Sequence, residues 1–352
     1  MRYDIAAIPG DGIGKEVVPA AQRVLEAAGD RWGFELRWEE FDWSCEHYTR
    51  TGRMMPPDGL DRLRNHQAIF LGAVGYPGVP DHVSLWGLLI PIRRAFRQRV
   101  NLRPIRLFDG IASPLGDPGA IDFAVVRENN EGEYSEIGGR IYQGQAGETA
   151  IQEAVFTRNG VESVMRYAYD LARTRSRRLV SATKSNGIVH TMPFWDEIFA
   201  EIGHDYHDVE TTQYHIDALS ALFVQRPHEF DVVVASNLFG DILSDLAAAV
   251  AGSIGIAPSA NLDPDGAYPS MFEPVHGSAP DIAGRGMANP IGQIWSGALM
   301  LDHLGQQQAA GALVAAVETV LATTDLRTPD LGGSATTTQV TDAVLEALAA
   351  GG

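Results

Sequence analysis

Two aspartates four residues apart, Asp241 and Asp245, close the segment Ser236-Asn-Leu-Phe-Gly-Asp-Ile-Leu-Ser-Asp245. On a helix this spacing puts both carboxylates on one face, roughly 5–6 Å apart at Cβ, where like charges repel. A hard divalent cation such as Mg²⁺ or Mn²⁺ would relieve the repulsion, because such ions take oxygen ligands from carboxylates and substrate. A solvated acidic helix edge is the alternative. The apolar run Phe230–Ala235 just before reads as a buried strand, and open α/β sheets bind ligands beyond the carboxyl ends of such strands. In the helix, Ile242, Leu243, Leu246, Ala249 and Val250 form the expected apolar face.

A second set is basic: Arg93 and Arg94, Arg103 in Asn-Leu-Arg-Pro, and Arg127 in Val-Arg-Glu-Asn. Arginine's planar fork matches a carboxylate, so three of them converging would suit a dicarboxylate; apart, each is a surface ion pair. Tyr134, Lys184 and Asp217 are available as acid–base groups. Two loops are rich in glycine. Gly10-Asp-Gly12-Ile-Gly14 lacks the G-x-G-x-x-G spacing of a dinucleotide fingerprint, and reads as a tight strand-to-helix turn whose amides can approach a ligand. The other, Glu273-Pro-Val-His-Gly-Ser-Ala-Pro-Asp281-Ile-Ala-Gly284 followed by Asn289, is a Gly/Pro loop. Its aspartate could accept from both hydroxyls of an adenosine ribose and would repel a 2′-phosphate; a capped surface turn is the other reading.

These groups must be carried by a repeating strand, loop and helix pattern, the mark of an α/β protein. Strands are expected at Ile5–Ile8, Ala68–Leu71, Phe123–Val126, Leu179–Ala182 and Val232–Ala235, and a helix after Gly14 with Val17, Val18, Ala21, Val24, Leu25 and Ala28 inward. Residues 130–157 alternate like a β-hairpin or arm. The 352 residues fit two domains, and a net charge of −18 argues against a nucleic-acid partner. That charge makes an anionic substrate depend on a local arginine cluster. The single cysteine, Cys45, excludes an internal disulfide and fits a reducing compartment. With no signal-peptide pattern at the N-terminus and no apolar run of about 18 residues, a cytoplasmic protein without membrane contact is expected.

Taken together, the motifs at 9–17, 101–104, 125–129, 183–186, 236–245 and 273–284 resemble those of the metal-dependent decarboxylating dehydrogenases of the isocitrate/isopropylmalate dehydrogenase superfamily. Phe41-Asp-Trp-Ser-Cys45, Gly52–Pro56, Val79–Gly87 and Arg127–Ser135 look most like its tartrate/D-malate branch. The resemblance implies an α/β fold that is not a Rossmann fold: a large mixed sheet flanked by helices, in two domains with the active site in the cleft. Residues 1–100 plus 255–352 would form the larger, NAD-binding domain, and 101–254 the smaller substrate and dimerisation domain, with a β-arm near 135–157. It further implies a homodimer with shared sites, in which Asp241 and Asp245, with Asp217 of the partner subunit, hold Mn²⁺ or Mg²⁺. Lys184, also from the partner, would be the base and Tyr134 the acid that protonates the enolate. Arg93, Arg103, Arg127, Trp86, Leu89 and Asn186 would bind substrate. Ile13, His276, Gly277, Ser278, Ala279, Asp281, Ile282 and Asn289 would bind NAD, and a K⁺ requirement is left open.

The implied reaction is NAD-dependent oxidative decarboxylation of a small 2-hydroxy dicarboxylate. Trp86 fills space that a larger C3 substituent would need, which favours malate or tartrate. Leu88-Leu89 keeps some isopropylmalate character, and a methylene-sized difference discriminates by only about 1–3 kcal/mol. The alternative is therefore 3-isopropylmalate dehydrogenase. A non-catalytic regulatory subunit would show lesions among Tyr134, Lys184, Asp217, Asp241 and Asp245, and none is lost. A hydrolase using the aspartates alone would leave the His276–Asp281 loop unexplained.

Overall fold

The computed structural model describes residues 1–351. Its strands are β1 (Arg2–Gly10), β2 (Glu35–Glu40), β3 (Ala68–Ala73), β4 (Val100–Arg106), β5 (Asp122–Glu128), β6 (Gly138–Ile141), β7 (Thr149–Gln152), β8 (Arg178–Thr183), β9 (Glu210–His215), β10 (Val232–Ala235), β11 (Pro258–Leu262) and β12 (Ser270–Pro274). Ten of them make one sheet in the order β2-β1-β3-β12-β11-β4-β5-β10-β8-β9. The two flanks are parallel, while β12, β11, β4 and β5 pair antiparallel at the centre. This is the expected mixed sheet, and its order is not that of a Rossmann fold.

Alternation along β1 and β3 sends side chains to two faces. Ile5, Ala68 and Phe70 join the main core with Val18, Leu25 and Val125. Ala6, Ile8, Ile69 and Leu71 join a second core with Phe41, Leu88, Ile92 and Met271. Cys45 is fully buried there, and burial beside Asp11 pushes its thiol up to about 12. No helix of the described residues is long and apolar enough to cross a membrane.

The apolar strands stand where hydrophobic runs placed them. The polar ones, β2, β4, β9, β11 and β12, were not anticipated, since β11 (Pro-Ser-Ala-Asn-Leu) and β12 (Ser-Met-Phe-Glu-Pro) carry polar residues in fully buried positions. The helix Asn237–Val250 forms, but Ile242 is 54% exposed and Ala249 is exposed, so its expected apolar face is corrected to Phe239, Leu243, Ala247, Ala248 and Val250. β6 and β7 form a hairpin with every strand residue exposed.

The turn after β1 is held by close backbone approach. Gly12 has φ +54°, and a Cβ there would lie 2.0 Å from the Ser278 carbonyl oxygen. The adjacent Ile13 N–H donates to that same oxygen at 2.9 Å. Asp11, fully buried, accepts from the Cys45 and Gly75 amides at 2.9 and 3.1 Å. A Gly12→Ala variant combines left-handed strain with this overlap, and should lose about 2 kcal/mol or more in chemical denaturation.

Candidate active site

The register of β4 against β5 pairs Asn101 with Arg127, two residues from Arg103. Residues two apart share a sheet face, so Asn101, Arg103 and Arg127 stand together. Arg93, at the end of the helix Ile90–Ala95, reaches the same place. All three arginines are buried, at 8%, 7% and 2% exposure for Arg93, Arg103 and Arg127. They converge, so none of them is the surface ion pair that was the other reading of the sequence. Burial, with Arg103 and Arg93 nearby, pulls the Arg127 guanidinium down to about 10. Arg93 Nε is buried without a partner, an open donor in the cluster. Arg94 is not a member: it pairs with Glu136 and the Tyr134 carbonyl and lies over the Trp86 ring.

The helix Asn237–Val250 brings its carboxylates to this cluster. Asp241 is salt-bridged to Arg127, lies 3.3 Å from Arg103 and accepts from the Tyr134 hydroxyl at 3.0 Å. Burial pushes the Asp241 carboxyl up, but Arg127 and Arg103 outweigh it and hold the group below its usual range. Asp245 goes the other way: burial and Asp241 raise it against the pull of Arg103, which lies 3.5 Å away. Its side chain is 54% exposed. Two adjacent carboxylates, one lightly held and open, form an all-oxygen donor pair that fits a hard dication. Among the described residues no third Asp, Glu, His or Cys completes a metal-binding group. Burial and the Asp241 charge raise the Tyr134 phenol, which keeps its proton.

Lys184 and Asp217 stand apart from this cluster. Lys184 Nζ donates to Asp217 at 2.6 Å, and that bond holds the exposed Asp217 carboxyl below its usual range. Asn186 is exposed in the loop after β8. Trp86 and Leu89 are half-buried in one π-helical turn, Leu85–Leu89, whereas Leu88 is fully buried in the second core. Only Leu89 of the leucine pair is therefore left to meet a ligand.

A cavity of about 460 Å³ lies beside the glycine turn, lined by Ile13, His276, Ala279, Ile282 and Asn289 together with Ile254, Met287 and Asp330. Its apolar walls suit a flat heterocycle. His276 Nε2 is buried without a partner, and burial lowers the pKa of this ring, keeping it neutral. Of the other expected cofactor residues, Ser278 is buried against the turn, while Gly277 and Asp281 are exposed. Asp330 escaped sequence reasoning: it accepts from Ser253, Asn289 and Thr328, and nothing local marks its loop.

Two further acids were missed. Glu133 accepts from the Ser236 hydroxyl and the Leu238 amide, capping the helix Asn237–Val250 from the loop that carries Tyr134. Glu128 is fully buried, accepts from the Asn130 and Glu131 amides, and burial pushes it up to about 7. Its folded pKa lies above the unfolded value, so its stabilisation is full below about pH 4.5 and is lost as pH rises through 7. Across that window wild type should lose about 3 kcal/mol that a Glu128→Gln variant does not, read from guanidinium unfolding at each pH.

Residues 4–344 match the isocitrate/isopropylmalate dehydrogenase family. A D-malate dehydrogenase (decarboxylating) from Escherichia coli is 57% identical over 350 residues, covering 97% of each chain. A probable tartrate dehydrogenase/decarboxylase from Bacillus subtilis is 56% identical over 349 residues, covering 99% of this chain and 98% of that one. Among solved structures, isocitrate dehydrogenase from Methylococcus capsulatus superposes with a TM-score of 0.88 at 36% identity, covering 98% of this chain and 99% of its own. With the buried arginines, the aspartate pair and the cavity all present, the chain belongs to the isocitrate/isopropylmalate dehydrogenase family of enzymes.

Proposed function

We propose that this enzyme oxidises and decarboxylates a small 2-hydroxy dicarboxylate, D-malate or tartrate, with NAD⁺ and Mn²⁺ or Mg²⁺. The convergence of Arg93, Arg103 and Arg127 carries the reading: the three buried guanidiniums are matched in number by Asp241, Asp245 and Glu273, so a dication held by the two aspartates would leave the site positive enough for a dianion despite the net charge of −18. The relatives named for tartrate and D-malate add support. Trp86 and the burial of Leu88 favour a small C3 substituent over 3-isopropylmalate.

In this reading the three arginines orient the two carboxylates. Asp241 and Asp245, with Asp217 of the partner subunit, would hold the dication, which would supply Lewis acidity when bound, while NAD⁺ would be the hydride acceptor. Lys184 takes the hydroxyl proton across the dimer interface. Tyr134, kept protonated beside Asp241, delivers a proton to the enolate carbon after CO₂ leaves. The cavity of Ile13, His276, Ala279, Ile282 and Asn289 takes the adenosine of NAD⁺, with Asp281 at the ribose.

A homodimer brings Lys184 and Asp217 to the other chain's Asp241. The exposed apolar residues Ile141, Tyr142, Ile151, Ile188, Val189, Val224 and Ile242 support it, since they lie on the hairpin and beside these very groups. Domain division near residues 100 and 255 would place the site in the cleft, and the free, buried Cys45 suits a reducing cytoplasm.

NADH formation with Mn²⁺, with and without K⁺, is expected to be fastest on D-malate or a tartrate; faster turnover of 3-isopropylmalate or isocitrate would overturn the substrate assignment. EDTA should abolish the activity and Mn²⁺ restore it. Lys184→Ala should lower kcat by roughly 10²–10⁴-fold, and Tyr134→Phe should slow the reaction with D-malate while leaving NAD⁺ affinity, measured by calorimetry, unchanged.

A further inference from the structure

Around the arginines the molecule carries buried amides, two of which, Asn101 and Asn237, stand in motifs already quoted but were given no role there. Asn237 is 2% exposed, and Asn101 and Asn261 are fully buried. The Asn237 Oδ1 accepts from Arg127 Nε at 3.1 Å and Nη2 at 2.8 Å. Its Nδ2 donates to the Glu131 carbonyl at 3.0 Å and to Glu128 at 3.3 Å. Asn101 repeats the arrangement on the neighbouring strand. Its Oδ1 accepts from Arg103 Nε at 2.6 Å, and its Nδ2 donates to Ser259 Oγ at 2.7 Å and Asn261 Oδ1 at 3.0 Å. Asn261 in turn donates to Glu273 at 2.7 Å, the carboxylate that holds Arg93 at 2.8 Å.

Each amide is thus saturated on both sides, and its orientation is dictated by acceptors on the nitrogen side. A flipped Asn237 or Asn101 would turn its NH₂ against the guanidinium donors and lose these bonds, save the one to Ser259, whose hydroxyl can donate instead. We propose that Asn237 and Asn101 are positioning residues that hold the Arg127 and Arg103 forks by the Nε edge with neutral oxygens, adding no charge to the Asp241 carboxylate that both forks share and leaving their remaining N–H groups for a dicarboxylate. The last clause rests on the proposed substrate reading; the holding of the forks does not.

The physical need is plain. Burial, Arg103 and Arg93 disfavour the charged form of Arg127 while Asp241 favours it, so the fork sits among like charges with one carboxylate opposite. A further carboxylate in place of either amide would grip the fork but cancel more of its charge than Asp241 already does. A neutral carbonyl oxygen, polarised by the donors and acceptors behind it, grips without that cancellation.

The test uses full-length Asn237→Ala and Asn101→Ala, each read in two ways, so that failure of one variant to fold leaves the other. In ¹H–¹⁵N spectra of arginine-labelled enzyme without substrate, wild-type Arg127 and Arg103 Nε–H signals should be protected from exchange. Asn237→Ala should lose only the Arg127 signal, and Asn101→Ala only that of Arg103. In kinetics, KM for D-malate should rise roughly tenfold to a hundredfold in each variant while KM for NAD⁺ stays within about twofold. A purely structural role would instead lower the melting temperature and move both constants together. Retention of both protected signals in the variants overturns the inference. Loss of the signals in the variants, together with a wild type that turns over no 2-hydroxy dicarboxylate, upholds the positioning role and overturns the substrate reading instead.

Discussion

Burying three guanidiniums side by side is the constraint around which the rest of this molecule is arranged. An isolated buried charge is strongly unfavourable, and like charges in low dielectric make it worse. Asp241, Asp245 and Glu273 match this charge one for one, and neutral amides supply further hydrogen bonds. The antiparallel register at the centre of the sheet is what makes this possible, because it lines up Arg127, Asn101 and Asn261 across three strands. A parallel arrangement there would need crossover connections, and would not set these short segments directly opposite one another.

The helix Asn237–Val250 is the second dependent part. It meets the arginines through Asp241 and Asp245, and its first turn is tied down through Asn237 and the Glu133 cap. Gly240 belongs to the same contact, since a Cβ there would lie 2.7 Å from the Arg127 side chain. The cap also ties the loop bearing Tyr134 to this helix, so phenol, carboxylate and arginine belong to one bonded network. The opposite wall works by backbone approach: Gly12 lets the turn after β1 touch the Ser278 carbonyl, and the cavity opens beside that contact.

A strongly acidic surface around a basic pocket sets a filter. The global field repels anions, whereas in the proposed function the local cluster would attract those small enough to enter a site of low dielectric, where each contact is worth more. Lys184, half-buried, pairs with the exposed Asp217 away from Asp241, and Ile188, Val189 and Val224 on the same elements are exposed too.

From its residues alone the chain declared its α/β class, its apolar strands and the motifs that carry charge, because hydrophobic period and residue chemistry are local properties. Asp241 and Asp245 could be placed on one helix face from their spacing, yet Ile242 was misplaced to the apolar face, since exposure depends on what packs against the helix. The convergence of Arg93, Arg103 and Arg127 was conditional in the sequence and was decided only by strand register, which brings together residues far apart in the chain. The strands β4, β11 and β12 escaped hydrophobic patterning because their buried positions carry Asn, Ser, Arg and Glu. Such residues are tolerated inside only when each finds a partner, and those partners exist only once the sheet has closed.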